Sequence, residues 1–323
     1  MLFNHYDVEA MVPEDHVLRK FKERLLVEGV ADDREEMKKC LGREGYGYEV
    51  GLRALFLQFW GDHSDREMEE QLRFNIAYKW FGGFSLDSRT PDHTFFCRMR
   101  TNIGAKRVSA LFTKMVDDAV DRKIIKKLES FVDASAIRRK EAEWAKRDRE
   151  IEEEQKQLGN KPGAKKFSAD KEARWGCKGH KKYWFGYKRH VSVDTSSGLI
   201  EKIAVTPANV NDANAFPLVC PWEKRILADR GYDTWVVRGT MKKKGCIDGV
   251  MRLTRRKDFD KQRNKELSKR RAPWEHVFSK MSRRTRYMGV EKTWLQALFE
   301  GIAHNLKRLV VLEGVNPPVI GLA

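Results

Sequence analysis

Cysteine is scarce in this chain, and long apolar runs are missing from it. Five cysteines occur among 323 residues, and no two have the spacing of a CxxC pair. This odd, scattered set argues against a disulfide framework and against a cysteine zinc site, and reduced thiols suit a cytosolic protein. No apolar run approaches the roughly 20 residues that span a bilayer, and the first residues lack the basic start and apolar run of a signal peptide. We therefore expect a soluble, cytoplasmic protein.

Acidic residues are outnumbered by basic ones, which bears on the partners of the protein rather than on its fold. Lysine and arginine total 64 against 47 aspartates and glutamates, giving a formal net charge of +17 and a pI near 9.6. Such an excess favours a polyanionic partner such as nucleic acid. Ribosome-associated and membrane-surface proteins share this bias, so charge alone leaves these alternatives open. The apolar share of 41% is sufficient for a buried core.

Residues 1–125 have a helical pattern. Apolar side chains recur at helical spacing between residues 52 and 60, and Thr90 followed by proline marks the start of a further helix. That helix carries Arg98 and Arg100, which makes it our candidate recognition element in a module resembling a helix-turn-helix. The alternative is a domain for packing or dimerisation. We expect an all-α N-terminal domain that serves one of these two roles.

The pattern changes at Phe131 to strands that alternate with helices. After a short predicted strand comes a charged insertion at about residues 138–165, and then a hairpin, two further strands and intervening helices. The predicted strands are 131–133, 184–193, 199–205, 225–228 and 249–253. This order predicts an α/β domain over residues 126–323, with a mixed five-stranded sheet and flanking helices.

Three carboxylates stand out because of their predicted positions. Asp133 closes the first strand, Asp229 closes the strand at 225–228, and Glu275 lies one turn into a helix that begins near Lys269. Carboxylates placed in this way can converge on Mg²⁺ or Mn²⁺, and two such ions can activate both oxygens of a phosphoryl displacement. Each residue also has an ordinary interpretation, as a turn former, a helix cap or a surface ion-pair partner.

Three short motifs carry a resemblance to a known family. Residues 131–135 (FVDAS), 228–233 (ADRGYD) and 271–278 (RAPWEHVF) resemble the three acidic motifs of the DDE transposases of bacterial insertion sequences, in the insertion sequence four/five superfamily. Further stretches match in the same order along most of the chain. The third motif departs from the family pattern at two places, because Ser268 replaces a frequent tyrosine and Ser282 replaces a frequent lysine.

The resemblance implies a fold, a set of catalytic residues and a cofactor. It implies an RNase H-like catalytic domain in which Asp133, Asp229 and Glu275 bind two ions of Mg²⁺ or Mn²⁺ and support catalysis. The partners would be double-stranded DNA, both at transposon terminal inverted repeats and at the target, and a homodimer or larger assembly would pair two transposon ends. The residues expected to contact DNA are Arg98, Arg100, Lys178, Lys188, His190, Arg271, Lys280 and Arg283.

The sequence therefore predicts a DNA transposase that cleaves transposon ends and transfers the strands to target DNA. An RNase H-like nuclease that cuts DNA without transposing it is one alternative. A catalytically inactive DNA-binding protein is another, although three intact carboxylates argue against it.

Overall fold

The structure of the protein is a computed structural model, which describes residues 7–25, 46–126, 128–139, 153, 169–178 and 182–314. Most of the predicted charged insertion at 138–165 lies outside these residues. The chain divides into two compact units, one formed by Met1–Ala119 with Leu298–Ala323 and the other by Val120–Ala297. The sequence had placed everything after residue 125 in the second domain, whereas the structure groups the C-terminal residues with the N-terminal unit.

The N-terminal unit is helical in its described part. Ser64 begins one helix with a capping box, in which its hydroxyl accepts from Glu67 N–H and the Glu67 carboxylate accepts from Ser64 N–H. The last helix contains Gly104 at φ 66° and ψ 162°, where the helical path is broken. The helices are α1 (Val8–Met11), α2 (Val17–Arg24), α3 (Gly47–Trp60), α4 (Asp65–Phe74), α5 (Ile76–Gly82) and α6 (His93–Asp121).

Aromatic side chains fill the core of this unit. Phe21, Phe56 and Phe81 are fully buried, and the Phe56 ring lies 5.8 Å from the Phe21 ring and 5.5 Å from the Phe81 ring. Each ring removes a large apolar area from water, and edge contacts between rings add to this stabilisation. The core therefore fixes α2, α3 and α5 against one another.

The second unit is built on a mixed sheet of seven strands. Its described strands are β1 (Glu129–Arg139), β2 (Arg174–Lys178), β3 (Lys182–Asp194), β4 (Ile200–Pro207), β5 (Arg225–Ala228), β6 (Ile247–Val250) and β7 (Arg284–Thr285). The strand order is β2-β3-β1-β5-β6, with β4 also paired to β3 and β7 also paired to β1. Each of the five predicted strands has a counterpart, although the last one spans residues 247–250 and not 249–253, and β2 and β7 are additional.

Strand β1 is much longer than the sequence predicted. It pairs antiparallel with β3 along most of its length, and parallel with β5 only as far as Phe131. A second parallel partner, β7, begins at Arg138. The prediction that Asp133 closes the first strand is therefore wrong, because Asp133 lies within β1, just beyond the point where β5 ends its pairing.

Helices cover both faces of the sheet. The remaining helices are α7 (Asp212–Val219), α8 (Trp235–Lys243), α9 (Lys261–Arg271) and α10 (Val290–Leu312), with 3₁₀ helices at Arg230–Tyr232 and Ala272–Lys280. Val132 packs with Phe216 of α7 and Val237 of α8 on one face, whereas Leu227 packs with Leu267 of α9 on the other. None of the helices in the described part combines the length and apolar character that crossing a bilayer requires.

A close approach between β1 and β3 requires glycine. Gly186 has φ +149°, and a Cβ atom there would lie 2.3 Å from the carbonyl oxygen of Ile137 on β1. Since that oxygen belongs to the backbone, it cannot move aside without disturbing the pairing of the strands.

One buried ion cluster joins the end of β3 to the beginnings of β1, β4 and β5. Lys224 Nζ lies 2.9 Å from Asp194 Oδ1 and 2.6 Å from Glu201 Oε1, and all three side chains are nearly inaccessible to solvent. Ser130 on β1 donates to the second oxygen of Glu201 at 2.5 Å. Burial raises the pKa of Glu201, while the Lys224 ammonium opposes that rise. The positive charge of Lys224 therefore offsets the cost of burying the Asp194 and Glu201 carboxylates.

We expect Lys224→Met to destabilise the protein by about 3–5 kcal/mol, because it leaves two carboxylates buried without a compensating charge. Lys242→Met is the matched control, since Lys242 is exposed on α8 and a surface change of this kind is expected to stay within about 0.5 kcal/mol. Urea unfolding at neutral pH measures both. Equal stability of the two variants would contradict the role of the cluster.

Candidate active site

Asp133 and Asp229 lie side by side on neighbouring strands. Phe131 on β1 is paired with Leu227 on β5 in parallel register, so that Asp133 and Asp229, each two residues further on, are level with each other. Asp229 directly follows β5, and its Oδ1 accepts from Gly231 N–H at 2.8 Å. Asp133 Oδ1 accepts from Ala134 N–H at 2.8 Å. Both carboxylates are half-buried and positioned by backbone donors.

The surroundings of Asp133 disfavour its ionised form. Burial is the main cause that raises its pKa from 3.8 to about 6, and the negative charge of Asp229 adds to the rise. The Ala134 N–H, the Arg271 guanidinium and the Lys178 ammonium act in the opposite direction. A buried Asp133 carboxylate with the negative charge of Asp229 beside it forms a position at which a cation would be stabilised.

Arg271 is buried and forms an ion pair with Asp133. The last residue of α9, it is only 8% exposed, and its guanidinium lies 3.9 Å from Asp133 Oδ2 and 5.5 Å from the centre of the Phe131 ring. It also donates to Met251 Sδ at 3.4 Å. In this structure its charge faces Asp133 and its side chain is buried, and its contact with DNA stays a prediction.

Glu275 lies on a 3₁₀ helix instead of the predicted α-helix. The α-helix ends at Arg271, and Pro273 at the start of the 3₁₀ segment lacks the N–H that a continued α-helix would use. Glu275 is exposed, and it shares a helical face with Phe278, three residues later. The Phe278 ring packs against Phe131 at 6.4 Å. This contact places the 3₁₀ helix over the segment of β1 that leads to Asp133.

The structure does not complete a three-carboxylate cluster. Within the described ranges, no group of three or more histidine, cysteine, aspartate or glutamate side chains is close enough together to hold a metal ion. Asp133 and Asp229 are brought together, whereas Glu275 is not within reach of a shared ion.

Two of the residues expected to contact DNA are buried. Arg100 is 6% exposed and binds both carboxylate oxygens of Asp65, at 2.8 and 2.6 Å, and also Gln58. His190 is 1% exposed, lies 2.9 Å from the Thr206 hydroxyl, and has its pKa lowered to about 4 by burial. Both side chains stabilise the interior of their own unit, so neither presents a charge to DNA in this structure.

The other expected DNA contacts differ in how accessible they are. Lys178, Arg283 and Arg98 are exposed. Lys188 is largely enclosed and donates to Asp212 Oδ1 at 2.8 Å and to the carbonyl of Val210. The side chain of Lys280 lies outside the described part of the structure. Lys178 is an exposed basic residue whose charge acts on Asp133.

One residue beside the aspartate pair was not singled out from the sequence. Tyr232 is buried with no hydrogen-bond partner for its hydroxyl among the described residues, and its pKa is raised first by burial and then by Asp133, Asp212 and Asp229. The signal for it was its place in the motif at residues 228–233, three residues after Asp229.

Comparison with known proteins identifies relatives for both parts of the chain. A family model described as "Transposase DDE domain" matches residues 126–306, and one described as "Transposase domain (DUF772)" matches residues 6–102. The chain is 32% identical over 169 residues to "Transposase for insertion sequence element IS1106" of Neisseria meningitidis serogroup B. That alignment covers 49% of this chain and 57% of the relative, a little over half its length. No solved structure matches the chain significantly.

The raised pKa of Asp133 predicts a gain in stability when its charge is removed. A pKa of about 6 in the folded state means that the folded chain binds the proton more tightly than the unfolded chain. Ionised Asp133 therefore destabilises the protein above pH 6, and this cost disappears as the pH falls below about 4. Because one pKa unit corresponds to about 1.4 kcal/mol, we expect Asp133→Asn to add about 1–3 kcal/mol at pH 8.

Chemical unfolding in EDTA at pH 8 and at pH 4 measures this effect. Glu266→Gln on α9 is the control, since Glu266 is exposed. Two results would contradict the claim that ionised Asp133 destabilises the fold. One is an Asp133→Asn variant less stable than the wild type at pH 8, and the other is an equal gain in unfolding free energy at both pH values.

Proposed function

Because the chain belongs to the DDE transposase family, we propose that it is a DNA transposase that cleaves transposon ends and transfers the freed strands into target DNA. The observation that carries this proposal is the placement of Asp133 and Asp229 at one level on adjacent parallel strands. Burial and the charge of Asp229 raise the pKa of Asp133 in a half-buried position, which is typical of a site prepared for a cation.

We further propose that the second unit has an RNase H-like fold. Five of its strands follow the order β4-β3-β1-β5-β6, in which β4, β3 and β1 are antiparallel neighbours and β1, β5 and β6 are parallel. Helices lie on both faces of this sheet. The arrangement agrees with the fold that the motifs imply, and it places the aspartates near the centre of the sheet.

Mg²⁺ or Mn²⁺ fits the donor chemistry of the proposed site. Carboxylate oxygens are the ligands that these hard cations favour, and a divalent charge would offset the repulsion between Asp133 and Asp229. In the proposal Glu275 joins them through a movement of the 3₁₀ helix, since in this structure it does not share their site. Bound ions of this kind polarise a phosphodiester and lower the pKa of a bound water.

The reaction proposed for the chain has two phosphoryl transfers. In the first, the oxygen of water bonds to a phosphorus at the transposon end, and the bond from that phosphorus to the 3′ oxygen breaks to leave a 3′ hydroxyl. In the second, this hydroxyl bonds to a phosphorus of target DNA and displaces its 3′ oxygen. The protein's part is to hold the two carboxylates at one level, with Arg271 fixing the orientation of Asp133 through their ion pair.

The proposed DNA path follows the exposed basic residues. Lys178 on β2 and Arg283 beside β7 are both exposed, and we assign phosphate contacts to both, with Lys280 as a further candidate. Each phosphate contact releases counterions and makes binding depend on salt. The proposal also includes at least a dimer, because two transposon ends must be joined in one complex.

Plasmid cleavage and strand transfer test the proposal. The donor carries the element's own ends, and the assay compares the wild type with Asp229→Asn, Glu275→Gln and the exposed control Glu266→Gln in Mg²⁺ or Mn²⁺. Loss of a metal ligand removes several kcal/mol of transition-state stabilisation, which corresponds to at least about a 100-fold loss in rate. We expect this loss in the first two variants, with DNA binding retained, and wild-type rates in the control.

The products separate the proposed function from its rivals. Joining of donor ends to target DNA by the wild type supports transposition. Nicked or linear donor without joined products would instead indicate a nuclease, and binding of cognate ends with no cutting in either metal would indicate an inactive DNA-binding protein.

A further inference from the structure

The N-terminal unit contains a cavity of about 630 Å³ that is separate from the aspartate pair. It lies between α4, the segment after α5 and the first turns of α6, and all its lining residues fall between 46 and 102. This volume is in the range of sites that enclose small ligands, about 300–1,000 Å³. The cavity is therefore large enough to take one building block of a larger polymer.

Three arginines give the cavity its positive character. Arg73, Arg89 and Arg98 line it, and all three are exposed. Arg98 uses one of its donors on the Thr94 hydroxyl at 3.0 Å, which leaves most of the guanidinium fork for a ligand. A planar fork of this kind matches the geometry of a phosphate group, and it can donate two parallel hydrogen bonds.

Two acidic residues also line the cavity, and both are held by protein donors. Glu69 Oε2 accepts from His93 N–H at 2.9 Å and lies 3.0 Å from the His93 ring, contacts that lower the pKa of this carboxyl. Asp92 accepts from the hydroxyl and N–H of Thr94 at the start of α6. A fourth basic residue, Lys79, donates to a backbone carbonyl at 2.7 Å. Positive charge therefore remains in excess along the lining.

Aromatic rings form another part of the lining. Tyr46 and Phe95 meet edge to face with their ring centres 5.5 Å apart, and Tyr46 is about one third exposed. The Tyr46 hydroxyl donates to the carbonyl of Arg89 at 3.0 Å, so that the ring and the arginine are held together. Exposed aromatic faces beside arginines are the combination that proteins use to bind unpaired bases with their phosphates.

We propose that this cavity binds one unpaired nucleotide of a DNA strand, with its phosphate at Arg89 and Arg98 and its base against Tyr46 and Phe95. This proposal rests on the proposed function in one respect, namely that the bound polymer is DNA. A cavity of this size can receive a single unstacked base, whereas a helix placed in the groove of a duplex leaves the bases stacked. The site therefore differs from the recognition-helix role that the sequence predicts for the start of α6.

Oligonucleotide binding by the full chain in EDTA tests this proposal. Fluorescence anisotropy with a labelled single-stranded oligonucleotide, at several salt concentrations, compares the wild type with Arg89→Ala/Arg98→Ala, Tyr46→Leu and Arg66→Ala. Arg66 is the matched control, because it is exposed on the same helix as Arg73 but outside the cavity. Thermal unfolding of each variant verifies that the chain remains folded.

Each variant has a distinct expected result. The double variant should reduce the slope of log affinity against log salt by about 0.7 for each phosphate that the protein no longer neutralises. Tyr46→Leu should weaken binding roughly 5- to 100-fold and leave that slope unchanged, because stacking involves no counterions. Arg66→Ala should match the wild type. Equal binding by all folded variants would overturn the proposal.

Two further measurements identify the form in which the nucleotide is bound. Displacement of the oligonucleotide by micromolar deoxynucleoside monophosphate would show a site for free nucleotides and would overturn the proposal. If Tyr46→Leu weakened duplex binding as much as single-strand binding, the claim that the cavity takes an unpaired base would be overturned. Asp229→Asn should bind the single strand as the wild type does, so a failure here is distinguishable from a failure of the proposed cleavage chemistry.

Discussion

Strand β1 loses its parallel neighbour after Phe131 and gains another at Arg138, and the backbone between these points carries Asp133. On its other edge, β3 pairs with it without interruption through this region. The sheet is thus continuous on one side of Asp133 and divided between β5 and β7 on the other. Since β5 ends immediately before Asp229, the same division brings the second carboxylate to the level of the first. The candidate site follows from this one feature of strand pairing.

The contacts of Phe131 and Arg271 partly offset the cost of keeping two carboxylates close together. Phe131 is fully buried, its ring receives the Arg271 guanidinium, and the ring of Phe278 packs against it. The arginine compensates part of the charge of Asp133, yet burial still raises the pKa of that carboxyl to about 6. Ionised Asp133 therefore lowers the stability of the fold above that pH. Tyr232 lies in the same region, because its hydroxyl is buried without a hydrogen-bond partner among the described residues and both carboxylates raise its pKa.

Several features were accessible from the sequence because they depend on neighbours along the chain. The hairpin of β3 and β4 follows from β-branched and aromatic residues around a turn at residues 194–198, and the strand before Asp229 follows from a short apolar run. The true length of β1 was not accessible, because Ala134 to Arg139 has a weak strand pattern and is held by pairing with β3. Likewise, the charge of Arg100 suggested a surface role, and only its distant partner Asp65 shows that it is internal. Pro273 was visible in the sequence, but its effect on the helix that carries Glu275 was missed.

Metal-directed cleavage of the polypeptide tests the central claim most directly, namely that Asp133, Asp229 and Glu275 share one cation site. Fe²⁺ substitutes for Mg²⁺, ascorbate and peroxide generate hydroxyl radicals at the bound ion, and mass spectrometry maps the backbone cuts. We predict cuts close to all three residues in the presence of DNA ends, all of them suppressed by excess Mg²⁺ and absent in Asp229→Asn. Cuts near Asp133 and Asp229 with none near Glu275 would contradict the three-residue site, and cuts elsewhere in the chain would contradict the site altogether.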